Sequence, residues 1–451
     1  MPKSLASLAD NPIWLPFVRI GAAAYLLRNK CVLRVDEPAD RVIKSTVGML
    51  GGWFASREKI SAPGLRMNSV DLTWVNVDRP DVRRRFGYHH VLGFQAIVDI
   101  NEVVAATGST NGRLTLEVVV NGIASATKAV QLAPDVATDP RRSAEQRRRK
   151  HEWLQPHLAC PVCGPANGDL EFTASAVRCR TCGETFRNSN SAYDFLPGDL
   201  KRKFQIDDWI DISSHEYDDI AKAIIEEARR NRGKVLDCGS GLRSSVDESV
   251  ICLDVAAFPT TDVLGVNQRL PFRDGVFDAV LSLNVLEHVT DPFASASELV
   301  RVLKPGGKLY CCIPFLQPEH GYPHHYFNAT RSGLRHLFPK NLELIRHFVP
   351  GSGEPVWSLQ WFLSWYAAQL PFSEQQKFRA LRFQDIIDAA PAMLLGEPWV
   401  SQLSSEGKWR LASTTAAIFR KPDGASFTGI APAPQSQSID PTLGLHPEPR
   451  S

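Results

Sequence analysis

The sequence is short of net charge, of long apolar runs and of secretory features. Its 51 Lys and Arg nearly balance 49 Asp and Glu, leaving +2 at neutral pH. So small an imbalance gives no global attraction to nucleic acid or to an anionic membrane, and a basic partner surface has to be local. The apolar stretch at residues 13–27 has 15 residues with Arg19 near its middle, short of the roughly 20 needed to span a bilayer. Asp10 precedes it and a basic leader is missing, which argues against a signal peptide. A packed helix is expected over residues 1–29, with peripheral attachment to a membrane surface as the alternative. A disulfide framework is also absent. Nine cysteines are an odd number; four form two tight pairs, while Cys31, Cys238, Cys252, Cys311 and Cys312 sit in apolar, strand-like stretches. That is reduced, cytoplasmic usage with one metal site.

A chain of 451 residues exceeds the roughly 250 residues at which a single core stops growing, so two or three domains are expected. Residues 30–135 read as a β-sandwich, with Asn121-Gly122 between two β-prone runs marking a hairpin. The segment at residues 78–94, "DRPDVRRRFGYHHVLGF", resembles one in β-sandwich domains attached to cell-surface glycan enzymes. Residues 136–158 form a basic linker, with six Arg or Lys between Arg141 and Lys150. A solvated helix is the simpler reading, and a phosphate-contacting strip for RNA the alternative. Residues 199–422 alternate helix and strand, the pattern of a parallel sheet, with a helical insertion near 350–409. From residue 423 onward periodicity vanishes, and a disordered tail is expected.

Cys160-x₂-Cys163 and Cys179-x₂-Cys182, 15 residues apart, have the spacing of two knuckles converging on one tetrahedral Zn²⁺. Gly164 and Gly183 follow the pairs, where a tight knuckle needs a residue free of Cβ strain. Four thiolates leave no open position, so the ion is structural and donor affinity should not depend on it. Residues 159–198 resemble the zinc ribbons beside several methyltransferase domains, some acting on RNA and others on small molecules.

At residues 235–255, "VLDCGSGLRSSVDESVICLDV", a strand ends at Asp237, turns through Gly239 and Gly241, and a second strand ends at Asp254. Such a turn admits a ribose-bearing cofactor whose hydroxyls the second carboxylate accepts. What is missing matters equally. Arg243 stands where the dinucleotide fingerprint has its third glycine, and 12 residues join the strands. Eight of them as helix span about 12 Å, the lower limit for a crossover. A pyrophosphate wants the full helix N-terminus; S-adenosylmethionine, which has no phosphate, does not.

Downstream, LPF-x₄-FD-x-V, N-x-LEHV and E-x₂-RVLKPGG within residues 270–315 closely resemble class I S-adenosylmethionine-dependent methyltransferases. The resemblance covers about residues 234–338 and implies a Rossmann-like α/β fold. By it, Gly239 and Gly241 line the methionine side, Asp254 binds ribose, Asn284 and Leu286 approach the sulfonium, and Asp237 is a further cofactor-binding residue. Many relatives place an aspartate for adenine at the position of Val266, so that role passes to Asn267 or to backbone. The resemblance leaves two alternatives to a glycan enzyme: an RNA methyltransferase and a non-catalytic scaffold, the latter suggested by Val266 and Arg243.

After the next strand comes "PFLQPEHGYPHHYFNATRSGLRHLF", residues 314–338, a loop resembling that of one branch of the family on the acceptor face. Methylating a hydroxyl needs a base near neutrality, usually histidine. His288, His320, His324 and His325 are candidates, with His320 and His325 the expected bases. A metal trio would need carboxylates that the loop lacks beyond Glu319. Glu287 is expected to anchor the loop. The acceptor is then a saccharide, glycan-pathway intermediate or other small molecule.

Overall fold

The computed structural model describes residues 31–56, 59–79, 82–83, 90–108, 112–166, 169–188, 192–204, 206, 212–318, 320, 324–369, 390–395 and 414–421. The expected N-terminal helix, the disordered tail, and most of residues 78–89 and of the helical insertion lie outside the described residues.

In the N-terminal half, strands β1 (Cys31–Glu37), β2 (Val42–Ile43), β3 (Val47–Ser56), β4 (Pro63–Met67), β5 (Val70–Asp71), β6 (Thr73–Val77), β7 (His90–Asp99), β8 (Arg113–Val120) and β9 (Ile123–Leu132) form two sheets. Their orders are β1-β3-β7-β6 and β2-β9-β8-β4-β5. One core joins them, with Leu50, Phe54 and Phe94 from the first sheet against Leu65, Leu116 and Val118 from the second. Asn121 and Gly122 both take positive φ, 54° and 78°, which closes the β8–β9 hairpin in the twist its strands require.

The second half contains β10 (Leu170–Phe172), β11 (Ala176–Cys179), β12 (Thr185–Asn188), β13 (Tyr193–Asp194), β14 (Val235–Cys238), β15 (Val250–Asp254), β16 (Val263–Leu264), β17 (Phe277–Leu283), β18 (Leu303–Pro314), β19 (Glu343–Phe348) and β20 (Thr414–Arg420). They form one sheet in the order β10-β11-β12-β13-β16-β15-β14-β17-β18-β20-β19. The run from β16 to β18 is parallel and β20 enters antiparallel. The four ribbon strands extend this sheet through the parallel β13–β16 pair. Val177, Cys179 and Phe186 share one core with Leu236, Ile251 and Val280, so the ribbon is fused to the sheet's edge. On the opposite face the helix Asp219–Arg230 buries Ala221, Ile224, Ile225 and Ala228.

One expectation changes here and a second is refined. Residues 239–249 contain no helix at all. The crossover is instead pinned by Leu242 N–H to the Ser213 carbonyl, 2.7 Å, and by Val47 N–H to the Ser244 carbonyl, 2.9 Å. Leu242, Ala256 and Phe258 pack with Val47 and Ile97 of the sandwich, which gives this crossover the apolar cover a helix would have supplied. The basic run is a helix with mostly exposed cations, but two of them turn inward. It lies on the helix Pro140–Leu154, where Lys150 is 1% exposed and paired with Asp262 at 2.6 Å. Arg147 bonds Asp99, Arg148 pairs with Glu145 and Glu152, and Arg149 with Glu145 and Glu248. Arg147 and Lys150 are thus held within the molecule, while Arg141, Arg142, Arg148 and Arg149 stay exposed. Among the described residues no helix is long and apolar enough to cross a membrane.

Candidate active site

Strands β14 and β15 run parallel and in register, Asp237 opposite Cys252, and end together at the glycine turn. Asp254 is 8% exposed; its Oδ2 accepts from Gly241 N–H at 2.7 Å and its Oδ1 from Ala256 N–H at 2.9 Å. Burial raises its carboxyl above the usual range, against the lowering effect of these N–H donors. Asp237 is fully buried. Its Oδ2 accepts from Arg243 Nε at 2.8 Å and from the Tyr217 hydroxyl at 2.6 Å, while Oδ1 has no hydrogen-bond partner. Asn267, 5% exposed, accepts from Cys238 Sγ at 3.0 Å and leaves its Nδ2 without a partner. A buried acceptor and a buried donor left open beside a ribose-type carboxylate are what a ligand bearing an ammonium, a ribose and an adenine would satisfy, since an unmet buried polar group costs about 1–3 kcal/mol. The residues fit S-adenosylmethionine.

The glycines serve the protein's own packing as much as the ligand. A Cβ on Gly239 (φ +78°) would sit 2.5 Å from Val285 Cγ2, and one on Gly241 (φ +59°) would sit 2.6 Å from the Ser213 carbonyl oxygen. Arg243 has a role that the glycine fingerprint does not foresee: besides Asp237 it donates to the His215 carbonyl and lies over the Tyr217 ring, 4.1 Å to the centroid. Tyr217 and Arg243 are the residues sequence reading missed, and a buried carboxylate with a nearby arginine was the available signal. Val266, in place of an aspartate, is buried.

Beyond β17, Asn284 is exposed and adopts φ +57°, the strained corner of the sheet's carboxyl end. Leu286 does not face the donor as expected. Its side chain is fully buried in the core with Leu299 and Val302, because the short 3₁₀ turn Leu286–His288 directs it inward.

That turn meets the histidine loop. The Glu287 carbonyl, not its carboxylate, anchors the loop by accepting from Tyr326 N–H at 2.6 Å. The carboxylate is fully buried and both its oxygens lack a hydrogen-bond partner; burial pushes it well above the usual range. His288 donates from Nδ1 to the His324 carbonyl at 2.8 Å, and His320 from Nδ1 to the Pro318 carbonyl at 2.9 Å. Burial lowers both imidazoles, His320 to about 4. The expectation for His325 as a base needs correcting. Its Nδ1 accepts from His320 N–H at 3.2 Å and its Nε2 donates to the Phe327 carbonyl and Asn328 Oδ1 at 3.0 and 2.9 Å, so both nitrogens fasten the loop. His324 lines a neighbouring cavity of about 840 Å³ with Arg187, Asp194, Lys201 and Arg202.

In the ribbon, Cys160 and Cys182 Sγ lie 3.8 Å apart, and Cys163 and Cys179 Sγ 3.6 Å. All four converge within 4.8 Å. Four sulfurs around an ion with bonds of about 2.3 Å would sit about 3.8 Å apart. Gly164 and Gly183 N–H close the knuckles on the Cys160 and Cys179 carbonyls, 2.9 Å each. The donor set suits zinc. It also touches the donor side: Arg269 donates to the Val162 carbonyl within the first knuckle at 2.9 Å, and Ala159 N–H to the Pro271 carbonyl at 3.0 Å.

Residues 243–311 match the profile of the family described as "Methyltransferase domain". An uncharacterized methyltransferase of Mycobacterium sp. (strain JLS) is 42% identical over 72 residues, 15% of this chain and 28% of that protein. A demethylmenaquinone methyltransferase of Mycolicibacterium vanbaalenii is 47% identical over 57 residues, 13% of this chain and 25% of that one. The chain thus spans about a quarter of the length of these curated relatives. Among solved structures, the [4+2]-cyclase SpnF aligns at TM-score 0.28 and 18% identity, covering 45% of this chain and 81% of that one. A phospholethanolamine N-methyltransferase 2 of Haemonchus contortus aligns at 0.26 and 17%, covering 42% and 49%. Over residues 243–311 the chain is similar to a methyltransferase domain.

Proposed function

We propose that the protein transfers the methyl group of S-adenosylmethionine to an oxygen of a saccharide or other glycan-pathway intermediate. The observation that carries the donor half is the pair of open buried atoms, Asp237 Oδ1 and Asn267 Nδ2, beside Asp254. Bound there, the donor supplies an electrophilic methyl group. Asp254 orients the ribose, Asn267 meets the adenine, Asp237 faces the methionine ammonium, and Gly239, Gly241 and Asn284 shape the turn around the chain of the donor. On the acceptor side the hydroxyl gives up its proton beside the histidine cluster, where His288 and His320 each keep Nε2 open and His325 holds the loop. The neighbouring cavity, lined by charged and apolar side chains and of a size usual for small-molecule sites, and the exposed rings of Tyr326 and Phe327 leave room for a sugar. Two of the six cations of the basic run, Arg147 and Lys150, are committed to Asp99 and Asp262, which reduces what the run can offer an RNA acceptor. We further assign one structural Zn²⁺ to Cys160, Cys163, Cys179 and Cys182.

Calorimetric titration with S-adenosylmethionine tests the donor half: binding is expected, and its absence would favour a scaffold. On a glycan hydroxyl acceptor, His320→Ala should lower turnover at least about 100-fold while donor affinity stays within about threefold, under 1 kcal/mol. Full turnover in that variant would remove the hydroxyl reading's main support.

A further inference from the structure

We infer that Glu287, His288 and His320 form a site for a divalent cation, which binds the acceptor through two neighbouring oxygens. This rests on the hydroxyl-acceptor reading above and says how the cluster draws off the proton.

The three side chains can each offer a ligand atom, and these atoms lie within 4.8 Å of one another. Cis ligands of an ion with bonds of about 2.1 Å are about 3 Å apart, a closure of less than 2 Å from the spacing observed. Each imidazole has its Nδ1 engaged by a carbonyl, His324 for His288 and Pro318 for His320. Such a bond fixes the tautomer that leaves Nε2 as the metal-facing lone pair. Independently, Glu287 is a fully buried carboxyl group without a hydrogen bond to either oxygen, and His288 Nε2 lies 3.8 Å from its Oε1. A buried polar group left without a partner is costly, and a cation bound beside it would supply the missing partner. Two imidazoles and one carboxylate on one face are the donor set that holds Fe²⁺, Mn²⁺, Co²⁺ or Zn²⁺ with positions left open.

The site borders the donor turn, because Val285, which fills the space beside Gly239, is two residues before Glu287. A cation there lowers the pKa of a bound hydroxyl, so that the proton departs to solvent. The oxygen then attacks the methyl carbon: a C–O bond forms, the C–S bond breaks, and its electron pair stays on sulfur as a neutral thioether. The open positions favour an acceptor that chelates, such as the vicinal diol of a sugar.

Mn²⁺ and Co²⁺ are suitable probes, since the thiolate site prefers softer ions. Zinc-loaded, full-length protein should bind one equivalent of Mn²⁺ by electron paramagnetic resonance, and Co²⁺ there should give a visible d–d spectrum without sulfur charge transfer. Glu287→Gln and His320→Ala should each weaken Mn²⁺ binding at least tenfold. Failure of both ions to bind, or equal binding by wild type and Glu287→Gln, would overturn the site. If no cation binds but hydroxyl methylation proceeds and resists chelator, the site fails and the functional reading stands. If the cation binds as expected and hydroxyl acceptors are refused, the site stands and the reading fails.

Discussion

Cys160 and Cys182 stand 22 positions apart on two turns of the same geometry, whereas His320 comes from a loop 33 positions beyond Glu287. The cysteines fill a tetrahedron and sit at the edge of a sheet whose core they share. The histidines and glutamate leave positions open at the carboxyl end of β17, where open α/β sheets bind ligands. A closed site reports on stability, an open one on chemistry, and the contrast between them can be probed by removing each in turn.

The largest effect should come from the closed site. Structural zinc binding is worth on the order of 10 kcal/mol, and the ribbon's Val177 and Phe186 pack with Leu236 and Ile251. Cys179→Ser, or exhaustive chelation, should lower the thermal midpoint by at least about 10 °C. Sequence alone suggests that donor affinity would be spared. The bonds from Arg269 to Val162 and from Ala159 to Pro271 argue otherwise, because they brace the loop that carries Asn267. Donor affinity should therefore weaken several-fold at temperatures where the variant is still folded. An unchanged midpoint would break the contrast, and an unchanged affinity would separate ribbon from donor loop.

Next in size is Gly239→Ala, which bears on both the donor turn and the open site. The added methyl meets Val285 Cγ2 at 2.5 Å in a left-handed conformation, and overpacking of this kind costs about 1–3 kcal/mol. Pushing Val285 also displaces Glu287, so calorimetry should show both donor and Mn²⁺ binding reduced by about tenfold or more. Loss of donor binding with intact Mn²⁺ binding would show that the two sites are mechanically separate.

The difference between the clusters also explains what could be read from the chain. Cys-x₂-Cys pairs, the Asn121-Gly122 hairpin and the strand endings at Asp237 and Asp254 are local, and local spacing fixes their geometry. The missing crossover helix was visible only as a length; that Val47 and Ile97 would cover Leu242 depends on contacts across some 200 residues. That Arg147 and Lys150 turn inward from the basic run was hidden because their acidic partners, Asp99 and Asp262, are distant in sequence. Glu287 looked like a loop anchor because a motif shows which residue is present, not which of its atoms makes the bond. His325 could be told from His320 only once each ring nitrogen had a partner.

The most local contrast lies in the ribose contact, where charge state separates a ligand-binding carboxylate from a structural one. Asp254→Ala removes a charged acceptor and should weaken donor binding by about 1.5–3 kcal/mol, ten- to a hundred-fold. In the wild type, burial raises the Asp254 carboxyl above its usual range, so protonation sets in at a higher pH than for a free side chain at about 3.9. The ionised form accepts from ribose hydroxyls and the protonated form loses one acceptor. Donor affinity should therefore be flat at neutral pH and fall as the pH drops through the raised pKa, by at most tenfold per pH unit. Asp254→Asn, which has no proton to gain, should start weaker and stay flat over the same range. Calorimetry across the acid limb, kept within the range where circular dichroism shows both proteins folded, distinguishes the cases. An equal decline in wild type and Asp254→Asn would move the titrating group elsewhere, and Asp254 would then be a brace for Gly241 and Ala256 rather than the ribose acceptor.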